Sequence, residues 1–228
     1  MRPTLSVKPV RTQDAPAADA LIADAVALLR ESDTWDVKMV KAEATIRRRK
    51  ADDNHWFCRF STHKREDVPF DRLWDKLGVQ RFPSQKQYLY DVTRVNLIEV
   101  GPKNRAVWSA YHSSSSLASP RIFTVLLETR LREYPPHARV GIAVEIPVDI
   151  SPRASSAHME ERGVKAHAVT IEQIKETNGG ATVEWRVITC RDYGGMLPSA
   201  VWARQMPDRL IEVTAKRNKP YTLTDTIA

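Results

Sequence analysis

Arg59, His63, Arg94, His112 and His167 sit in strand-like stretches of this sequence and are the side chains that could orient or transform a small molecule. Histidine offers acid–base chemistry near neutral pH, and arginine offers a cationic fork for an oxygen-rich group. Each of them can equally face water. A buried arginine would want a carboxylate partner, for which Asp91, Glu128 and Glu145 are candidates. No nucleophile, base and orienting acid converge, so no catalytic residue is assigned. The six histidines are scattered without HExxH spacing, and two cysteines are too few for a cysteine-rich zinc site. No metal and no cofactor are expected. The glycine pair Gly194-Gly195 would cradle a phosphate only at a helix start free to face it. A tight strand-to-helix reversal is the better account, because glycine reaches backbone angles that other residues resist.

Composition bounds the class. A chain of 228 residues can bury roughly 70% of its unfolded surface, so no disulfide or metal staple is needed. Cys58 and Cys190 are expected as reduced structural thiols. No apolar run approaches the ~20 residues of a membrane span. The N-terminal stretch lacks the apolar core of a signal peptide, and a cytoplasmic setting is expected. The charge balance is 35 basic against 28 acidic residues, a net +7. Such a surface favours acidic partners. The densest run, Arg47-Arg48-Arg49-Lys50, is read as a solvated strand end, with transient contact to an anionic membrane surface as the alternative. Nucleic acid is not expected, since no helix-turn-helix, zinc finger or RNA-recognition motif is present.

The elements that must position these groups follow from periodicity. Residues 15–31 repeat apolar positions at helical spacing. Period-two alternation then marks strands at about 36–49 and 55–64, separated by the Asp52-Asp53-Asn54 turn. Residues 69–78 read as a short helix that Gly78 stops. Six more strands are expected near 87–100, 104–113, 121–133, 138–149, 164–176 and 181–191. Turns at Gly101–Asn104, Pro135-Pro136 and Thr177–Gly180 are short, which favours antiparallel neighbours. Val140, Ile142, Val144, Ile146 and Val148 share one face, which implies a sheet dry on one side and wet on the other. A long helix closes the chain from about 196 to 217, with Pro198 in its first turn and a break or kink expected at Pro207. Residues 1–14 are expected to be a flexible segment and 15–228 a single domain.

The expected fold is therefore α+β: a curved antiparallel sheet of about eight strands with a long C-terminal helix laid across it. Such a sheet has more inner face than one helix can cover, and the remaining space is a hydrophobic cavity. The uncharged strand faces supply the expected wall: Phe123, Val125, Leu127, Val169, Ile171, Trp185 and Val187, with Met196, Leu197, Val201 and Trp202 from the helix. Ordinary core packing is the competing role of each. Trp108 and Tyr111 lie on opposite faces of their strand, so at most one points inward. The polar loops 112–117 and 150–163 could form an entrance.

Four segments carry a resemblance: His55–Arg59 with Ser61 and His63; Pro120–Leu127; Glu145–Asp149; and Asp192–Pro198. In order and spacing the chain resembles a fungal START-like family catalogued as a domain of unknown function, over nearly its whole length after about residue 20. It departs from that pattern at Tyr193 and in the 150–163 loop. The resemblance implies a helix-grip fold that binds a lipid or other hydrophobic small molecule. A carrier or sensor of such a molecule is the expected function. The alternative is a cofactor-free cyclase, aromatase or isomerase acting on a polyketide or terpenoid in the same pocket, where held geometry would accelerate the reaction.

Overall fold

The computed structural model describes residues 4–41, 43–51, 53–89, 91–113, 119–134, 138–151, 160, 162–195 and 199–217. Met196, Leu197 and Pro198, the Pro135-Pro136 turn and most of both expected entrance loops lie outside the described residues.

Alternating side chains produce ten strands, two more than the count expected from sequence: β1 Val10–Arg11, β2 Asp36–Lys41, β3 Ala44–Ala51, β4 Asn54–Lys64, β5 Val92–Val100, β6 Arg105–His112, β7 Arg121–Tyr134, β8 Ala138–Asp149, β9 Val164–Thr177 and β10 Thr182–Asp192. Nine of them form one antiparallel path in the order β2-β3-β4-β10-β9-β8-β7-β6-β5. Where β8 leaves the sheet at one end, Arg121–Phe123 of β7 pair directly with Val164–Ala166 of β9 in parallel. One extra strand comes from 36–49, where the chain reverses between Lys41 and Ala44 and pairs β2 with β3. That turn has no glycine or proline to announce it. The other is β1, which pairs in parallel with Val148–Asp149. The segment before the first helix, read as flexible, thus carries a strand pairing and also buries Leu5.

Among the described residues four α-helices flank the sheet: α1 Ala18–Glu31, α2 Phe70–Trp74, α3 Gln85–Tyr88 and α4 Ser199–Arg217. The 69–78 segment is α2 followed by a wider π turn over Asp75–Val79. Residues 85–88, read as lying at a strand start, form α3. α4 continues through Pro207, where the missing N–H leaves the Ala203 carbonyl without its helical donor.

Helices lie on both faces of the sheet. On the outer face, Leu21, Ile22, Ala25, Leu28 and Leu29 of α1 pack against Val144, Ile146, Val169, Ile171, Ile188 and Cys190. Each buried aliphatic side chain there contributes about 1.5–3 kcal/mol. On the inner face, α4 covers Ile46, Phe57, Phe123 and Ala168 through Ala203 and Met206, while α2 covers Ile174, Val183, Trp185 and Val187. The Val140–Val148 stripe therefore faces α1. Its opposite side, with Gly141, Ala143 and Glu145, is not wet, because α2 and the segment behind it cover that side.

Candidate ligand-binding site

Strand alternation places Val125 of β7, Glu145 of β8, Thr170 and Glu172 of β9, and Val187, Thr189 and Arg191 of β10 on the inner face, under α4. With Phe82, Gln85, His112, Phe123, Met206, Arg209 and Leu210 they enclose a hollow of about 80 Å³. A second cavity of about 200 Å³ opens beside it, between the β3–β4 turn, the end of β10 and α4. Thr189, Arg191 and Met206 line both. The inner hollow is smaller than the ~150 Å³ engineered cavity that takes up benzene in a well-studied lysozyme. A long acyl chain enters only if α4 moves.

One end of the hollow is built on Arg81. Its Nε donates to Glu145 Oε1 at 2.5 Å, Nη1 donates to the Leu77 carbonyl at 3.2 Å, and Nη2 lies 3.0 Å from Glu172 Oε1. Glu172 also accepts from the Trp185 indole at 3.2 Å. All four of these side chains are buried, so their charges are matched in a low-dielectric setting. At the opposite end, Asp91 receives Arg209 of α4 and a hydrogen bond from His112 Nδ1 at 3.3 Å. Burial disfavours the Asp91 carboxylate, but the His112 hydrogen bond and the Arg209 charge outweigh it and hold the carboxyl far below its usual range. Burial pushes His112 below the usual imidazole range despite Asp91. A neutral imidazole donating to an ionised Asp91 satisfies both tendencies.

The strand-to-helix turn sets where α4 starts. Gly194 and Gly195 adopt φ of +61° and +71°, and a Cβ at 194 would stand 2.4 Å from the Lys165 carbonyl oxygen. The Asp192 side chain accepts the Gly194 amide at 2.9 Å, and Arg121 Nε donates to the Tyr193 carbonyl at 2.8 Å. The turn delivers Tyr193 and Trp202 into the outer cavity, stacked with centroids 4.2 Å apart.

Of the wall residues read from sequence, Phe123, Val125 and Val187 line the inner hollow and Trp202 the outer cavity. Leu127 and Trp185 share the inner face but pack elsewhere, against Phe82 and beneath α2 respectively. Val169 and Ile171 point the other way, into the α1 core, because their polar neighbours Thr170 and Glu172 take the inner face. Val201 is 46% exposed on the far side of α4. Among the polar candidates, His112 lines the hollow. Arg59 is buried over the Trp185 ring at 4.8 Å, and His63 lies near the same ring. Arg94 is exposed, and His167 is half-buried on the outer face. Trp108 is the inward member of its pair, stacked on Phe82 at 5.2 Å.

Sequence reasoning missed Arg81, Gln85, Glu172, Arg191 and Arg209 as wall residues. Glu145 carried a signal, being a lone charge inside an otherwise apolar strand run. Ser61, His63 and Glu43 stand in nucleophile, base and carboxylate order, with Ser61 Oγ 2.7 Å from His63 Nε2 and His63 Nδ1 3.3 Å from Glu43 Oε2. Ser61 is fully buried and lines neither cavity, so a substrate cannot reach it.

A broad antiparallel sheet gripping a C-terminal helix over a hollow is the architecture of StAR-related lipid transfer domains. The structure of human STARD10 superposes with a TM-score of 0.69 at 15% identity, over 94% of this chain and 84% of that one. Human StAR-related lipid transfer protein 5 gives 0.70 at 14% identity, over 88% and 92%. The lipid transfer and protein localization domain of human StarD13 gives 0.63 at 15%, over 86% and 96%. At these identities the likeness is one of fold. No curated protein matches the chain in sequence. Residues 56–215 match the model of the family described as "protein of unknown function (DUF3074)", and the chain belongs to that family.

Proposed function

We propose that this protein binds a lipid or other hydrophobic small molecule between the inner face of the sheet and α4, and carries or senses it. The observation that carries the reading is the hollow walled by Phe123, Val125, Val187 and Leu210 under a terminal helix. The same architecture occurs in proteins whose names record lipid transfer. Entry requires α4 to lift, which breaks the Arg209–Asp91 pair and the packing of Ala203 and Met206. Among the described residues no helix is long and apolar enough to cross a membrane. The reading places the protein in the cytoplasm and gives it no nucleic-acid partner.

Transient contact with an anionic membrane belongs to the same reading and rests on the net charge of +7. The Arg47–Lys50 run is a poor docking patch. Arg47 and Arg49 point to the outer face, where Asp33 and Glu31 meet them, and Arg48 turns inward to His55. The test is to incubate the purified chain with liposomes of mixed composition, re-isolate it and weigh it by native mass spectrometry. A mass increase matching one lipid class is expected. Recovery of bare protein after exposure to neutral, anionic and sterol-containing vesicles refutes the reading.

One observation favours a second reading, a cofactor-free cyclase, aromatase or isomerase. His112 lines the hollow as a neutral base oriented by Asp91. Turnover of a polyketide or terpenoid that is abolished by His112→Gln would establish it.

A further inference from the structure

The outer cavity carries polar groups that the protein leaves unanswered. Tyr193 OH and Trp202 Nε1 on its wall are buried atoms with no hydrogen-bond partner among the described residues. Tyr193 is 7% exposed. A buried donor without an acceptor destabilises a fold, so such atoms mark places where another molecule supplies the oxygen. Arg191 stands where the two cavities meet. Its Nε reaches Thr189 Oγ1 at 3.4 Å and its guanidinium lies over the Phe123 ring at 5.6 Å. No carboxylate among the described residues forms an ion pair with it. The neighbouring cations differ: Arg81 is held by Glu145 and Glu172, and Arg209 by Asp91. The two carboxylates on the outer rim, Asp53 and Asp192, are exposed, and Asp192 is engaged by the Gly194 amide.

We infer that the outer cavity is an anion subsite, in which Arg191, Tyr193 OH and Trp202 Nε1 receive the carboxylate or phosphate of an amphiphile whose apolar part occupies the inner hollow. This rests on the ligand-binding reading above and adds the charge of the ligand to it. Two neutral donors and one cation line the outer cavity, and an anionic head answers all three, whereas an alcohol leaves the guanidinium without a counter-charge and a quaternary ammonium head offers no acceptor and repels it. The aromatic pair supplies an apolar shelf for the first methylenes of the tail.

The test compares dodecanoic acid, dodecyl phosphate and dodecanol on the full chain, below their micellar concentrations and at about pH 8, where the carboxylate is ionised. Binding is read from Trp202-sensitive fluorescence and confirmed by native mass spectrometry. The acid and the phosphate are expected to bind at least about tenfold more tightly than the alcohol. Arg191→Gln should reduce that preference to less than about twofold, Arg191→Lys should keep part of it, and Trp202→Phe, followed by mass spectrometry, should weaken acid binding a few-fold. Equal affinity of the three ligands for the wild-type chain overturns the anion subsite while leaving the hydrophobic-ligand reading intact, and needs no variant to fold. Binding of none of them overturns both. A preference that survives Arg191→Gln moves the anion elsewhere and overturns the assignment. Inorganic phosphate alone should not compete with dodecyl phosphate at millimolar concentration; if it does, the ligand is a free anion and the amphiphile is wrong.

Discussion

Replacing Gly141 with alanine tests how α2 is seated on the sheet. The Trp74 ring lies flat on Gly141 of β8 and folds back over Gly78, its other near neighbour. A Cβ at 141 would stand 2.3 Å from Trp74 Cε3, and one at 78 would stand 2.6 Å from Cε2 and Cζ2. Carbon atoms rest about 3.5–4.0 Å apart, so the ring must retreat by roughly an ångström with a second backbone close behind it. Overpacking of this kind costs about 1–3 kcal/mol. Alanine also removes freedom from the unfolded chain, which favours it by about 0.4–1 kcal/mol, so the net loss understates the clash. In urea denaturation, with a slope of about 2–3 kcal/mol/M, a net loss of about 1.3 kcal/mol should lower the midpoint of Gly141→Ala by about 0.5 M at constant slope. In a Trp74→Leu background the same substitution should cost under about 0.5 kcal/mol, because the ring it strikes is gone. An unchanged midpoint in the wild-type background, or equal losses in both, refutes the packing argument.

Three further outcomes follow from buried groups. Arg81→Leu leaves Glu145 and Glu172 facing each other without their cation and should lower stability by about 3–5 kcal/mol; in chemical denaturation, adding Glu145→Gln and Glu172→Gln should recover much of it. Burial holds His63 and His112 below the usual imidazole range. The unfolded chain therefore binds protons first, and stability present above about pH 6.5 is lost as pH falls towards each folded value. Urea midpoints should drop between about pH 7 and pH 5, and less steeply in a His63→Asn/His112→Asn variant. Burial raises the Cys58 thiol and pushes Cys190 up to about 12. Iodoacetamide at neutral pH should alkylate neither thiol in the folded protein and both in denaturant.

Much of the architecture was legible because alternation survives in a sheet whatever covers it. Which way each face points was not. Val140–Val148 shows a strand plainly, yet the alternation is the same whether the stripe meets α1 or α4. The uncharged face of β7 therefore turns Phe123 and Val125 towards α4, whereas that of β9 turns Val169 and Ile171 towards α1. The wall of the hollow is amphipathic, and its charges other than Arg191 are paired across strands and helices far apart in sequence. Arg81 finds Glu145 sixty-four positions away, a distance over which no local pattern speaks. The glycine turn at 194–195 was readable because its cause is local: two positive φ angles and a close carbonyl. Gly78, read as a helix stop, does not take a positive φ; it is small so that Trp74 can lie against it.

The order of strands has a consequence for how the chain is made. β4 is complete by Lys64, but its second neighbour is β10, which ends at Asp192. On the ribosome the β2–β4 meander must wait, one edge open, until more than a hundred further residues have emerged, and joining across that span is slow. Nascent chains of this protein should accordingly lean on holding chaperones until β10 docks. A stop codon between β9 and β10 leaves two half-sheets with no strand pairing between them.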